Sequence, residues 1–244
     1  MSWLMVMPVL DPVVVAGFFE RCALDPTKIL IIDNGIEPAS NPDWGGRYYR
    51  DPQGRNLGVS HSWNLGALAV MAEQTEWLVV CSSSVRFGPM GGVELPGRLG
   101  LCHDAPGVEI KPYGWHLAAL SRSTIERVGY FDENFYPGYF EDTDYLYRMA
   151  LAGLASPREN GGSWCKVSVD GEFGEQARSL SDPRVQATVD FGDLLTYYRA
   201  KWGGGPGEEK FVTPFGEDHP IGWWPEIFEE APEEPDGADE IGDL

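Results

Sequence analysis

The sequence predicts an α/β domain with a mixed, mainly parallel sheet flanked by helices. Three observations carry this. Across residues 2–85, short apolar runs alternate with helix-spaced segments in the order strand, helix, strand, helix, strand. Turn-forming residues close the runs, as Asn34-Gly35 closes the second. Hydrophobic residues are 43% of a 244-residue chain, enough to bury the core of one large domain or two small ones.

The elements follow in order. "SWLMVMPVL" is a continuous apolar run of strand length, compatible with a strand buried on both faces. "VVVAGFFERCAL" has helical spacing, and "KILIIDNG" is an Ile-rich second strand ending in a turn. "EPASNPDWGGRYYRDPQGR" reads as a polar, aromatic loop. "GVSHSWNLGALAVMAEQ" is a helix of small and apolar residues, and "EWLVVCSSSV" is a third strand. Parallel sheets of this kind bind ligands outside the carboxyl ends of their strands, here Pro8-Val9, Asp33-Asn34 and Ser82–Ser84.

The second half changes character. "VEIKPYGWHLAALSRSTIERVGYFDENF" reads as a strand, a short helix with Ser123 near its start, and a loop. "DTDYLYRMALAG" is a helix that Gly153 closes. "DPRVQATVDFGDLLTYYRAKW" reads as another helix, and "GGGPGEEKF" as a flexible linker or loop. The expected organisation is a domain over 1–202, a Gly-rich loop and extension over 203–225, and an acidic, disordered tail over 226–244.

Charge excludes some functions. The formal net charge is −20, and no Lys or Arg follows Lys210. A nucleic-acid binder needs a basic footprint, and an anionic membrane surface would repel this chain. The four cysteines, Cys22, Cys81, Cys102 and Cys165, are far apart without a CxxC pair. Free thiols in a reducing compartment are therefore expected, rather than a zinc site or a disulfide framework. "MSWLMVMPVLDP" lacks a basic start and is cut short by Asp11 and Pro12, so neither a signal peptide nor a membrane span is expected. A cytoplasmic location follows from these expectations. A dinucleotide oxidoreductase is disfavoured, because "PVLDPVV" follows the first strand where a GxGxxG turn would stand.

"FYPGYFEDTDYLYRMALAG" concentrates Glu141, Asp142 and Asp144 at the start of a helix within an aromatic stretch. On residue types alone, Asp142 is a helix N-cap or a catalytic base. Asp144 reads as a first-turn acid paired with Arg148 four residues on. Asp33 alone reads as a turn-capping residue.

The ordered pieces "ILIIDNG", "NLGVSHSWNLG", "WLVVCSSSVRFGP" and "VGYFDENFYPGYFEDTDYLYRMALAG" resemble the family 2 glycosyltransferases of the GT-A fold, over roughly residues 1–170. "YYRAKWGG" is similar to the C-terminal ends of some bacterial and phage members, which would place the chain in a host cytoplasm if it is of phage origin. The resemblance implies transfer of a sugar from a UDP-, GDP- or dTDP-sugar to an acceptor hydroxyl, with inversion. It makes Asp142 the general base and gives Glu141 a part in orienting acceptor or sugar. It implies donor contacts at Pro8, Val9, Asp33, Asn34, Asn56, Gly58 and Asn64, and sugar- or acceptor-facing roles for Trp115 and His116. A protein hydroxyl, a polysaccharide end and a lipid-linked glycan all fit as acceptors.

The chain departs from that family at the third strand. Most GT-A enzymes carry an Asp-x-Asp there to hold Mn²⁺ or Mg²⁺, and this chain has Ser82, Ser83 and Ser84. Ser82 and Ser84 can bond a phosphate or ribose, but neutral hydroxyls hold a divalent cation weakly. A metal requirement is thus in doubt. Asp170 and Glu172 are the candidate ligands. Arg86, Arg178, Lys201 and Lys210 are alternative partners for the leaving diphosphate, the last two flanking a glycine-rich stretch that could close as a lid. For Lys201 and Lys210 the plain expectation is solvated surface charge. The alternative function is a non-catalytic nucleotide-sugar or carbohydrate-binding module on the same fold, which the serine triplet favours.

Overall fold

The computed structural model describes residues 2–10, 24–35, 45–82, 115, 117–154 and 189–216. Five strands form one sheet in the order β3-β2-β1-β4-β5. They are β1 (Trp3–Val9), β2 (Ile29–Asp33), β3 (Arg47–Arg50), β4 (Trp77–Cys81) and β5 (Leu117–Ser121). β1 pairs in parallel with β2 and with β4, and β2 pairs in parallel with β3. Only β5, against β4, is antiparallel. The fold is therefore a mixed α/β sheet, mostly parallel and flanked by helices.

β1 and β4 are buried on both faces, as parallel strands require: Leu4, Val6, Leu78 and Val80 point one way, and Met5, Met7, Val79 and Cys81 the other. The first set packs with Ala118 and Leu120 of β5 under helix α1 (Gly58–Glu73) and near α2 (Arg122–Val128) and α3 (Glu141–Leu151). α1 lies close on the sheet because Gly66 faces Val6. A Cβ there would stand 2.6 Å from the Val6 Cβ. Ser121 caps α2 by accepting from the Thr124 N–H at 3.1 Å. Gly153, at φ +70°, follows α3 in the left-handed region that favours glycine, as anticipated.

β3 departs from the expected loop. "RYYR" is charged at both ends, which hid a strand. Its pattern of alternating exposed and half-buried residues suits the sheet edge, where β-prone tyrosines pair with β2. The helix expected over 182–202 is described as α4 (Phe191–Trp202), capped by Asp190 through the Gly192 and Asp193 amides. Of the helix expected over 13–24, all but Leu24 lies outside the described residues, as do the tail and Cys22, Cys102 and Cys165. Cys81 is a buried thiol, as anticipated.

The glycine-rich stretch is not a free linker. Lys210 and Phe211 donate their amides to the Trp202 carbonyl at 2.9 and 3.0 Å. Tyr147 donates to the Phe211 carbonyl at 2.8 Å and Tyr198 to Glu209 Oε1 at 2.7 Å. Gly203 turns the chain back at φ +72°, with Phe211 packed 2.9 Å from where a Cβ would sit. The anticipated lid is thus folded onto α3 and α4, because each of its polar anchors has a partner there.

Candidate active site

The strand tips meet as the sheet requires. Val9 lies in register with Asp33, and Asn34 donates its amide to the Val9 carbonyl at 2.8 Å. The Asn34 side chain then joins the tips to α1: its Oδ1 accepts from the Leu57 N–H at 3.0 Å, and its Nδ2 donates to Ser62 Oγ at 3.0 Å. Asn56 Oδ1 accepts from the Gly58 amide at 2.8 Å, which shapes the entry to the helix. Gly58 has φ +74°, and a Cβ on it would meet Tyr136 at 2.9 Å and the Pro137 carbonyl at 3.0 Å. The Val59 amide donates to that same carbonyl at 2.8 Å. The start of α1 therefore touches the loop that leads into Glu141 and Asp142.

That loop ends under backbone constraint. Tyr139 and Phe140 sit at φ +85° and +69°, a region bulky residues rarely adopt. Such outliers persist only where the surroundings fix them, and they cluster at functional sites. Phe140 occupies the N-cap place of α3 and offers no side-chain cap. Asp142 is consequently not the N-cap that residue type alone allows. It lies inside the first turn, half-buried, and its Oδ1 accepts from the Thr143 amide at 2.7 Å. Glu141 is buried, and its Oε2 has no hydrogen-bond partner. Burial, then the neighbouring Asp142 charge, pushes its carboxyl up to about 8.

Other anticipated residues have structural employment. Asp33 is 1% exposed. It takes the turn-capping bond from the Gly35 amide at 2.9 Å, a bond from Tyr48 Oη at 2.6 Å, and an ion pair with Arg50 at 3.2 Å. A ribose contact would share a carboxylate that already anchors β3. Asn64 clamps the loop after α2: it accepts from the Phe131 amide at 2.7 Å and donates to the Phe131 carbonyl at 2.9 Å and to Glu133 at 2.7 Å. Burial pushes the Glu133 carboxyl up, but bonds from His61 and Asn64 outweigh that and hold it below the usual range. Trp115 is buried, with its ring 6.0 Å from that of Trp63, 5.7 Å from Phe131 and 5.6 Å from Tyr145. The structure thus places Trp115 in the aromatic core, where apolar burial is the stronger claim on an indole. Pro8 is half-buried, Val9 is buried, and Ser82 is half-buried at the tip of β4. Ser84, Arg86, His116, Asp170, Glu172 and Arg178 lie outside the described residues.

Two charge expectations need correction. Lys201 is not solvated surface charge: it is 6% exposed, and its Nζ donates to Asp132 Oδ2 at 2.7 Å and pairs with Asp144 Oδ1 at 2.6 Å. It is therefore not available to a leaving diphosphate. Asp144 does pair with Arg148, at 2.9 Å, but it is fully buried rather than a solvated first-turn acid. It also accepts from Trp202 Nε1 at 2.8 Å. Sequence spacing exposed the Arg148 pair and concealed the others, because α4 lies some 57 residues downstream and long-range pairing has no local period. Lys210 is exposed, as anticipated.

Among the described residues, no three His, Cys, Asp or Glu side chains converge as metal ligands. Ser82, at the tip of β4, offers a neutral hydroxyl, and the candidate ligands Asp170 and Glu172 lie outside the described residues.

No protein-family profile matches the chain. A curated relative, a galactofuranosyl glycosyltransferase of Leishmania donovani, is 36% identical over 95 residues. That match covers 34% of this chain and 22% of the relative, so the chain spans about a fifth of the relative's length. Among solved structures, a mannosyltransferase from Pyrobaculum calidifontis in complex with GDP-Man and Mn²⁺ is 14% identical with a TM-score of 0.41, covering 62% of this chain and 52% of that one. S. aureus TarS 1-349 is 9% identical with a TM-score of 0.38, covering 63% and 55%. Likeness at that level carries no argument about chemistry.

Proposed function

We propose that the chain is a GT-A-type glycosyltransferase of the family 2 kind, moving a sugar from a nucleoside-diphosphate sugar to an acceptor hydroxyl with inversion. The observation that carries the reading is the joining of the strand tips to the Glu141-Asp142 turn. Asn34 holds the start of α1, and α1 holds Tyr136 and Pro137. The partial kinship with a galactofuranosyl glycosyltransferase supports the same class.

In this reading the donor lies against Val9, Asp33 and Asn34, with Asn56, Gly58 and Ser82 at the rim. An acceptor hydroxyl is a poor nucleophile until its proton leaves. Asp142 takes that proton as the oxygen attacks the anomeric carbon, and the bond to the diphosphate breaks on the opposite side. Glu141, holding its own proton, leaves Asp142 as the ionised member of the pair. The domain takes in residues 203–216, folded back onto α3 and α4, and the acidic stretch 226–244 stands apart from catalysis. The chain acts in the cytoplasm on a glycan or protein acceptor and binds no nucleic acid.

The test is a panel of UDP-, GDP- and dTDP-sugars, read by thermal shift and by product formation, with and without Mn²⁺ and with EDTA. A donor that raises the melting temperature by mass action and is consumed supports the reading. Binding without hydrolysis or transfer of any donor favours the non-catalytic module.

A further inference from the structure

We propose that Lys201 and Trp202, at the end of α4, are positioning residues that fix the roll of α3 and so the direction in which Asp142 faces. The geometry stands by itself; its catalytic consequence rests on the glycosyl-transfer reading above.

Asp144 is the grip. Its Oδ1 takes Lys201 Nζ at 2.6 Å and Trp202 Nε1 at 2.8 Å, and its Oδ2 takes Arg148 Nε at 2.9 Å. Lys201 is held in turn by Asp132, whose Oδ2 also accepts from Tyr197 at 2.8 Å and whose Oδ1 accepts from the Asn134 amide at 3.0 Å. Arg148 Nη1 donates to the Val128 carbonyl at 2.9 Å. The two cations and two anions balance, and all four side chains are under 9% exposed. The cluster ties α4 and the turn after α2 to the first two turns of α3.

A buried ion network is weak evidence for stability, since well-packed apolar residues often serve as well. What it supplies is fixed geometry. Asp142 stands about 200° around the helix from Asp144 at 3.6 residues per turn. Seating Asp144 against α4 therefore turns Asp142 to the opposite side. With side chains reaching about 6 Å from the helix axis, a roll of roughly 15° would move the Asp142 carboxylate by about 1.5 Å. Displacements near 1 Å can cost about 100-fold in rate.

The test separates positioning from stability. Lys201→Met alone strands Asp132 and should lower the melting temperature. Adding Asp132→Asn restores charge balance and should recover much of that loss. In the double variant we expect amide exchange across 139–144 to rise by at least ~10-fold, and kcat to fall by ~100-fold with donor KM unchanged. A double variant that recovers melting temperature, exchange rate and kcat together overturns the proposal. If it does not fold, Trp202→Phe, which removes one donor and keeps the packing, decides by the same readouts in the same directions. If the wild type consumes no UDP-, GDP- or dTDP-hexose, the glycosyl-transfer reading falls, and amide exchange still decides whether α4 sets α3.

Discussion

A carboxyl group placed in the interior, with one oxygen unpartnered and a second carboxylate beside it, keeps its proton well above the usual range. Glu141 is in that position, pushed up to about 8 from 4.5 by burial and then by Asp142. The folded chain thus holds a proton between pH 4.5 and 8 that the unfolded chain releases. Stability on this account falls as pH rises through that window and levels outside it. Glu141→Gln removes the titration. Its melting temperature should match the wild type near pH 4 and exceed it by a margin that grows up to about pH 8; a constant difference across that range would refute the assignment. Asp132 behaves oppositely. Burial pushes its carboxyl up, but Lys201 outweighs that and holds it low, so its contribution is present above about pH 4 and lost as pH falls further. The Glu141-Asp142 pair and the Asp144–Arg148 pair were legible in the sequence because each is local. The burial of Lys201 and the engagement of Asp33 by Tyr48 and Arg50 were not, because both depend on partners brought in by the fold.

At the scale of elements, α1 carries the site because it can lie close on β1. Gly66→Ala would place a methyl 2.6 Å from the Val6 Cβ, 2.7 Å from its Cγ1 and 3.0 Å from Leu78 Cδ1. Overpacking of this kind costs roughly 1–3 kcal/mol, and urea unfolding should show that loss with an unchanged m-value. A neutral effect would mean that α1 sits further from the sheet than described. Elements with a continuous or periodic apolar pattern, β1, β2, β4 and α1, were readable from composition and spacing. β3 was not, since an edge strand of arginine and tyrosine has the look of a loop until β2 pairs with it. The antiparallel β5 was read as a strand only in outline, because its direction is a matter of topology.

For the whole molecule, residues 203–216 belong with the folded body, although glycine richness suggested a linker or lid. Backbone bonds to Trp202 and side-chain bonds from Tyr147 and Tyr198 hold the segment. A chain ending at residue 202 loses these four bonds, worth about 1 kcal/mol each, and its melting temperature should fall by roughly 8–16 °C at ~2–4 °C per kcal/mol. A chain ending at residue 225 should melt with the full-length protein. Equal melting of all three would detach the segment from the fold.

The proposed transfer depends on the Asp142 carboxylate, and Asp142→Asn changes that group alone. The substitution is isosteric and removes the capacity to accept a proton. With the donor that stabilises the wild type, the variant should keep the donor-induced melting shift while its rate of product formation falls by about 10²–10⁴-fold. Wild-type turnover in Asp142→Asn would contradict the account.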